Sequence, residues 1–139
     1  MIWILYAFLS AIFAALVAIF GKIGLQNVDS TLATTVRSIV MAVFLFLLSL
    51  VLGKYSFLPQ IKGKVWLYIV LSGIAGALSW LFYFFALKMG LASAVSAIDR
   101  LSVVFVVVLS VFFLGEHFSL YAILGAVLMA LGAVLIVMK

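Results

Sequence analysis

The sequence predicts an all-α membrane protein with five transmembrane helices, and three observations lead to this prediction. The 139 residues are 71% hydrophobic and 8% charged, whereas soluble domains carry about 25% charged residues. The apolar residues form runs long enough to cross a bilayer, separated by short polar connectors. No run shows the sustained period-two alternation of a transmembrane β-strand. Residues 1–139 are therefore expected to form a single transmembrane domain.

Three of the five helices rest on runs without any charged side chain. These runs are residues 1–21, 65–87 and 118–138, and about 20 apolar residues suffice for one helical span. They predict helices at about 2–23, 65–87 and 118–138. No basic segment precedes the first run, which is longer than the apolar part of a signal peptide. We expect it to be a retained span.

The other two helices contain charges. The charge-free stretches 38–53 and 101–115 are short, and each reaches spanning length only by extending backwards. The extension passes through Arg37 in one case and through Asp99 and Arg100 in the other, which gives helices at about 31–53 and 92–114. A charge in hydrocarbon costs about 3 kcal/mol on insertion scales. These three residues are therefore the first candidates for function.

The connectors support this division. Asp29 or Ser30 is a suitable N-cap for the second helix, and the connector before the third helix holds the only proline, Pro59. Because the turn after the fourth helix is very short, the last two helices are expected to form an antiparallel hairpin. The basic residues between the second and third helices suit contact with anionic lipid headgroups rather than nucleic acid.

The composition argues against catalysis. The chain has no cysteine, one histidine and three dispersed acidic residues, and no glycine-rich loop that would hold a phosphate. Glu116 and His117 lie together in a turn, but no second histidine or acid lies nearby in sequence. We therefore expect no enzyme, no cofactor and no metal site.

The basic residues give a weak signal for orientation. If the helices alternate in direction, three lysines lie on the side of the N-terminus and three on the other side. Adding Arg37 and Arg100 to their nearer face makes this three against five. The positive-inside rule needs an asymmetry to fix one orientation. Two interpretations remain open. Either the protein inserts in both orientations, or it inserts in one orientation that is set by other factors.

Arg37 and Asp99 lie at similar depths. Each is about 10 Å from the start of its predicted helix, on the same side of the membrane, at about 1.5 Å per residue. Our hypothesis is that they pair or flank one polar cavity, because ionisable groups in membranes face a partner or water. Arg100 is rotated by about 100° from Asp99 and is expected to face another helix or a second subunit. The alternative is that both arginines extend to the headgroups.

The third helix carries aromatic side chains. Trp80 and Tyr83 are three residues apart and share a face, and such rings can line a pocket for an apolar or cationic ligand or serve as bulk that packs in the core or faces lipid. The candidate substrate-binding or coupling residues are Arg37, Ser79, Trp80, Tyr83, Asp99, Arg100 and Ser102.

Small residues mark the last helix. Gly125, Met129 and Gly132 share one face of it, and small residues let membrane helices approach closely. This face predicts either packing within the chain or a dimer interface.

The order of several motifs resembles the EamA-type domain of the drug/metabolite transporter superfamily. The resemblance covers essentially the whole chain and is carried by residues 86–95, by Asp99–Arg100 with the following 101–104, by the segment 113–117 and by Gly125 and Gly132. The Leu-Gly-Glu turn at 114–116, followed by a glycine-containing last helix, is its most specific part.

The resemblance implies a function. Typical members have ten helices in two five-helix repeats of opposite topology, and they move small organic solutes by alternating access. This chain resembles one repeat, which implies a cell-membrane secondary transporter of a metabolite or drug-like solute, acting as an antiparallel homodimer in contact with membrane lipid. The glycines match the dimer contact of the four-helix small multidrug resistance proteins.

The chain also departs from these families. Its first helix lacks the membrane-embedded glutamate of the small multidrug resistance proteins, so Asp99 would have to be the coupling acid. Many EamA-type domains have a proline early in the fourth helix, and this chain has none there. A non-transporting membrane subunit and a lipid-carrier flippase component are the alternatives.

Overall fold

The computed structural model describes residues 2–117 and 119–138, and in these residues all regular structure is helical. Five segments are long and apolar enough to cross a membrane, which confirms the predicted fold class. Phe118, at the predicted start of the last helix, and Lys139 lie outside the described residues. The helices are α1 (Ile2–Gly24), α2 (Ser30–Val51), a 3₁₀ helix (Lys54–Gln60), α3 (Lys64–Met89), α4 (Ala92–Asp99), α5 (Ser102–Leu114) and α6 (Leu120–Val137).

The surface of the protein is apolar. Large hydrophobic side chains point outwards along every span, with exposed fractions as high as 85% at Tyr121. The buried apolar residues are few: Ala18, Leu25, Phe84, Leu87 and Ala133. Such a surface would drive aggregation in water, but in hydrocarbon it carries no penalty because lipid tails are as apolar as the side chains. The chain is a multi-pass integral membrane protein.

The fourth span differs from its prediction as one continuous helix. Residues 92–114 form one apolar span, but α4 ends at Asp99 and α5 begins at Ser102. Across the break, the Leu101 N–H donates to the Ile98 carbonyl at 2.9 Å and the Val103 N–H to the Arg100 carbonyl at 3.1 Å. These three-residue steps tighten the backbone into a 3₁₀-like turn without any proline.

Residues 1–22 and 89–139 form one compact unit. Within it, α4 and α5 pack on α6, where Ala133 is buried and Ala126 and Ala130 are half-buried. Small residues allow this close approach in the absence of a hydrophobic driving force. At the end of α1, the Lys22 ammonium donates to the Gly90 carbonyl at 2.8 Å, which holds the connector before α4.

A glycine ends α5. Gly115 has a φ of 67°, in the left-handed region that side chains with a Cβ adopt only at a cost. The N–H of Glu116 then reaches back to the Ser110 carbonyl at 3.4 Å. This backbone conformation stops the helix and allows the short turn that was predicted between the last two spans.

Residues 23–88 form the second compact unit, which contains α2, the 3₁₀ helix and α3. The 3₁₀ helix packs back on α2, and the Phe46 and Tyr55 rings meet edge to face with centroids 5.5 Å apart. At the other end of the unit, the Lys88 ammonium donates to the Val28 carbonyl at 2.9 Å. The C-terminal end of α3 thereby holds the connector before α2.

Asp29 is the N-cap of α2, as the sequence predicted. Its backbone is extended, and its Oδ1 accepts a hydrogen bond from the Leu32 N–H at 3.0 Å. This contact satisfies one of the amide groups that a helix start leaves unpaired. The pKa of Asp29 is lowered below its ordinary value, and the hydrogen bond from the Leu32 N–H is the largest cause. Backbone and side-chain hydrogen bonds from Thr31 and the nearby charge of Lys88 act in the same direction.

Polar side chains within α2 are satisfied by the helix itself. The hydroxyls of Thr34, Thr35 and Ser38 each donate to the backbone carbonyl four residues earlier, at 2.7, 2.9 and 2.8 Å. This arrangement suits a span without water, because each hydroxyl proton finds an acceptor inside the helix. Ser30 differs, since its hydroxyl is buried without a hydrogen-bond partner among the described residues.

The Asp29 cap predicts a specific loss of stability in acid. A pKa lowered by folding means that the stabilisation is present above the ordinary pKa of about 3.9 and is lost as pH falls through the lower, folded-state pKa. We expect the melting temperature of the detergent-solubilised wild type to fall further below about pH 4 than that of Asp29→Asn, because asparagine caps without titrating. Parallel curves for the two proteins would contradict the role of this carboxylate.

Candidate functional site

Arg37 lies against the face of an aromatic ring. Its guanidinium carbon is 3.7 Å from the centroid of the Trp80 ring and 5.5 Å from that of Phe84. Arg37 is half-buried, seven residues into α2, which is about 10 Å along the helix axis. A cation over the face of tryptophan is attracted by the ring quadrupole by about 2 kcal/mol when it is desolvated. The rings therefore stabilise this charge inside an apolar span.

Three rings of α3 form an aromatic cluster under the guanidinium. Trp80 and Tyr83 meet edge to face with centroids 5.4 Å apart, and Phe84 lies 6.1 Å from Trp80 and 6.2 Å from Tyr83. Phe84 is 3% exposed, whereas Trp80 and Tyr83 are half-buried. Such edge-to-face contacts fix ring orientations. The expected shared face of Trp80 and Tyr83 is confirmed.

A groove runs between α2 and α3 beside this cluster and has a volume of about 320 Å³. Its two helical walls differ in chemistry, because α2 contributes hydroxyls and α3 contributes aliphatic side chains. Thr34 and Ala77 of the groove lie three residues before Arg37 and Trp80, on the same sides of their helices, which places the charge at the border of the groove. The lining residues are Thr31, Thr34, Thr35, Ser38, Ile74, Ala77, Leu78 and Leu81.

The remaining predicted site residues divide between the two compact units. Ser79 is exposed on α3, beside Trp80. In the unit formed by 1–22 and 89–139, Asp99 is half-buried at the end of α4, Arg100 is exposed in the helix break, and Ser102 is exposed at the start of α5. Asp99 and Ser102 therefore flank the break in the fourth span. The pairing of Arg37 with Asp99 stays a prediction.

The last helix has two different faces. Its alanines pack against α4 and α5, whereas Gly125 and Met129 are exposed and Gly132 is half-buried. Outside the neighbouring turns of α6, a Cβ added at Gly125 or Gly132 would meet no atom of the described residues within 4 Å. Packing among the described residues therefore does not explain why these two positions are occupied by glycine.

Sequence reasoning missed Phe84, Thr34 and Ser38 as parts of the site. A signal for Phe84 exists, because it lies four residues after Trp80 and so on the same face of α3. Thr34 lies three residues before Arg37, on the same side of α2. The contact between α2 and α3 depends on how the two helices are aligned, and no periodicity in the sequence sets that alignment.

Five apolar spans and a charged aromatic cluster within one of the units define a multi-pass membrane protein with a polar site inside its spans. A comparison with protein families matches residues 1–138 to the EamA-like transporter family. The chain belongs to this family, as the resemblance indicated, and is a membrane transporter.

One curated relative supports the same assignment. A Sinorhizobium protein described as "Uncharacterized transporter in cobO 3'region" is 41% identical over 134 residues, which cover 96% of this chain and 95% of the relative. No solved structure matches the chain. A transporter is not an enzyme class, in agreement with the lack of a catalytic constellation in the sequence.

Proposed function

We propose that the protein is a secondary transporter that exports or exchanges a small organic metabolite or drug-like solute by alternating access. The observation that carries this proposal is a cation held on aromatic rings within the spans of an EamA-like chain. A charge in a span is costly and tends to mark a solute or ion pathway. The groove volume of about 320 Å³ suits a small molecule, since ligand pockets start at about 300 Å³.

The working unit is proposed to be a homodimer of inverted protomers. The chain supplies five spans, and inverted repeats place a solute site at their interface near the middle of the bilayer. The balanced distribution of lysines between the two sides supports insertion in both orientations. Two copies in opposite orientations would reproduce the inverted pair within one assembly.

The dimer contact is proposed to include the glycine face of α6. Outside the neighbouring turns of α6, none of the described residues has an atom within 4 Å of a Cβ built at Gly125 or Gly132. Backbone exposed in this way lets a second helix approach closely. Met129, between the two glycines, is a flexible side chain that adapts to such a contact.

Asp99 is proposed to bind the coupling proton or a cationic group. It ends α4 at the break in the fourth span, and interrupted membrane helices recur at coupling-ion sites because their ends present carbonyls. Ser102 flanks the same break with a hydroxyl, while Arg100 is proposed to contact a neighbouring helix or subunit. In the other unit, Ser79, Trp80 and Tyr83 are proposed to enclose the apolar part of the solute.

A lipid-carrier flippase component is the second candidate. The observation that favours it is a groove of about 350 Å³ between α5 and α6, whose lining is entirely apolar and suits an acyl chain. Native mass spectrometry that retains an isoprenoid or acyl lipid on the purified protein would favour this candidate. The groove is lined by Val104, Val107, Val108, Ile123, Ala126, Val127 and Ala130.

Orientation mapping tests the inverted dimer. The chain has no cysteine, so Asn27→Cys and Gln60→Cys each create a unique thiol, in the connectors at opposite ends of α2. We expect a membrane-impermeant maleimide to label each variant in about half of the molecules in intact cells, as balanced flanking charges favour. Full labelling of one variant and none of the other would exclude the antiparallel homodimer.

A substitution tests the glycine face of α6. Gly132→Leu should lower the dimer fraction several-fold in single-molecule photobleaching of vesicles, because leucine prevents close helix approach. Stability of the protomer should not fall, since a Cβ at this position meets no described atom within 4 Å outside its own part of α6. Gly73→Leu on α3, which also enters open space, is the matched control. An equal loss in both variants, or no loss in either, would contradict the proposed contact.

The role of Asp99 is tested by counterflow. Proteoliposomes loaded with an unlabelled metabolite extract take up isotope-labelled solutes from outside, and mass spectrometry identifies the exchanged species. Asp99→Asn should reduce this exchange several-fold while the amount of inserted protein stays at the wild-type level, because asparagine cannot carry a proton or a charge. Asp29→Asn, an acid outside the spans, serves as control. Equal exchange by wild type and Asp99→Asn would remove Asp99 from the mechanism.

A further inference from the structure

We propose that Arg37, held on the Trp80 ring, binds the carboxylate of a small organic anion whose apolar body lies in the groove between α2 and α3. This inference rests on the proposed transport function and names the solute class for it. Three features of residues 23–88 carry the inference: the missing counter-charge, the geometry of the guanidinium, and the chemistry of the groove walls.

Arg37 has no carboxylate within its own unit that can neutralise it. Residues 23–88 contain a single acidic side chain, Asp29. It lies eight residues before Arg37, about 12 Å along the helix axis, and its Oδ1 already accepts the Leu32 N–H. The rings attract the cation but accept no charge-assisted hydrogen bond. An anion therefore gains both a counter-charge and hydrogen-bond donors at this position.

The contact with Trp80 prepares the guanidinium for a planar oxyanion. At 3.7 Å from the ring centroid, the guanidinium carbon is in van der Waals contact with the ring face. The N–H groups of a guanidinium lie in its own plane and form a fork that matches the two oxygens of a carboxylate. Because a ring contact fixes the arginine beforehand, less side-chain entropy is lost when an anion binds.

The groove walls favour an apolar body over a second anionic group. The hydroxyls of Thr34, Thr35 and Ser38 already donate their protons to backbone carbonyls, so they present only acceptor lone pairs to the groove. Acceptors repel an anionic group. The opposite wall, formed by Ile74, Ala77, Leu78 and Leu81, is aliphatic. Among the described residues that line or border this groove, the guanidinium of Arg37 is therefore the group that attracts an anion.

Tryptophan fluorescence tests the proposal directly. The chain has three tryptophans, and the double variant Trp3→Phe/Trp66→Phe leaves Trp80 as the only one. In phosphatidylcholine nanodiscs we expect a saturable change of Trp80 emission on titration with cyclohexanecarboxylate. The isosteric neutral amide, cyclohexanecarboxamide, should bind about tenfold more weakly or worse, as expected when a hydrogen bond loses its charge. Equal affinities for the two probes would overturn the proposal without recourse to any further variant.

Two further substitutions in this background identify the residue responsible. Arg37→Gln should abolish the preference for carboxylate over amide, and Arg37→Lys should retain part of it, because lysine keeps the charge but loses the fork. Lys64→Gln, which removes one positive charge at the start of α3, should leave the preference unchanged. A preference that survives in Arg37→Gln would overturn the assignment of the anion to this arginine.

The anionic phosphate headgroup of a lipid offers the same oxyanion chemistry. Because phosphatidylcholine headgroups carry no net charge, adding an anionic lipid to the nanodisc separates the two sources. If a lipid occupies the site, replacing part of the phosphatidylcholine with phosphatidylglycerol will shift Trp80 emission without any probe and weaken cyclohexanecarboxylate binding competitively. That result would overturn the solute proposal. The counterflow assay tests the transport function separately. Carboxylate binding without any solute exchange would contradict the transport function but not this inference. Solute exchange without a preference for carboxylate would contradict this inference but not the transport function.

Discussion

The absence of water from the bilayer core is the constraint on which the rest of this structure depends. Backbone amides inside a span have to find a partner within the protein, which is why the described spans are helical apart from the break between Asp99 and Ser102. The same constraint explains the α2 hydroxyls that bond back to their own helix. At the span ends, Lys22 and Lys88 donate hydrogen bonds to connector carbonyls. Each ammonium group thereby supplies a hydrogen-bond donor to a carbonyl that lies outside a helix.

Within this constraint, Arg37 is the exception on which the proposed solute site rests. Within residues 23–88, its charge is held by rings rather than by an acid. A fixed carboxylate would neutralise the arginine permanently, whereas rings stabilise the cation and leave its hydrogen-bond donors available. The proposed site would bind an exchangeable anion and release it again, which is what a carrier requires from its solute site.

Much of the fold was predictable because a span reveals itself by length and composition alone. Apolar runs located all five spans, mostly to within about two residues of the observed helix ends, and the cap at Asp29 followed from local chemistry. The break between Asp99 and Ser102 was not predictable, since neither proline nor glycine marks it. For the site, the i, i+3 rule placed Trp80 beside Tyr83. The contact of Arg37 with Trp80 depends on the alignment of two helices, which side-chain packing alone decides.

The unit formed by residues 23–88 places no carboxylate beside Arg37, which has an electrical consequence. Without a solute, the unit formed by residues 23–88 carries an uncompensated positive charge at this depth, and a bound monocarboxylate cancels it. Moving one elementary charge through a membrane potential of 100 mV involves about 2.3 kcal/mol. The resting voltage of a cell would therefore act on the reorientation of the unloaded carrier and leave the loaded carrier almost unaffected.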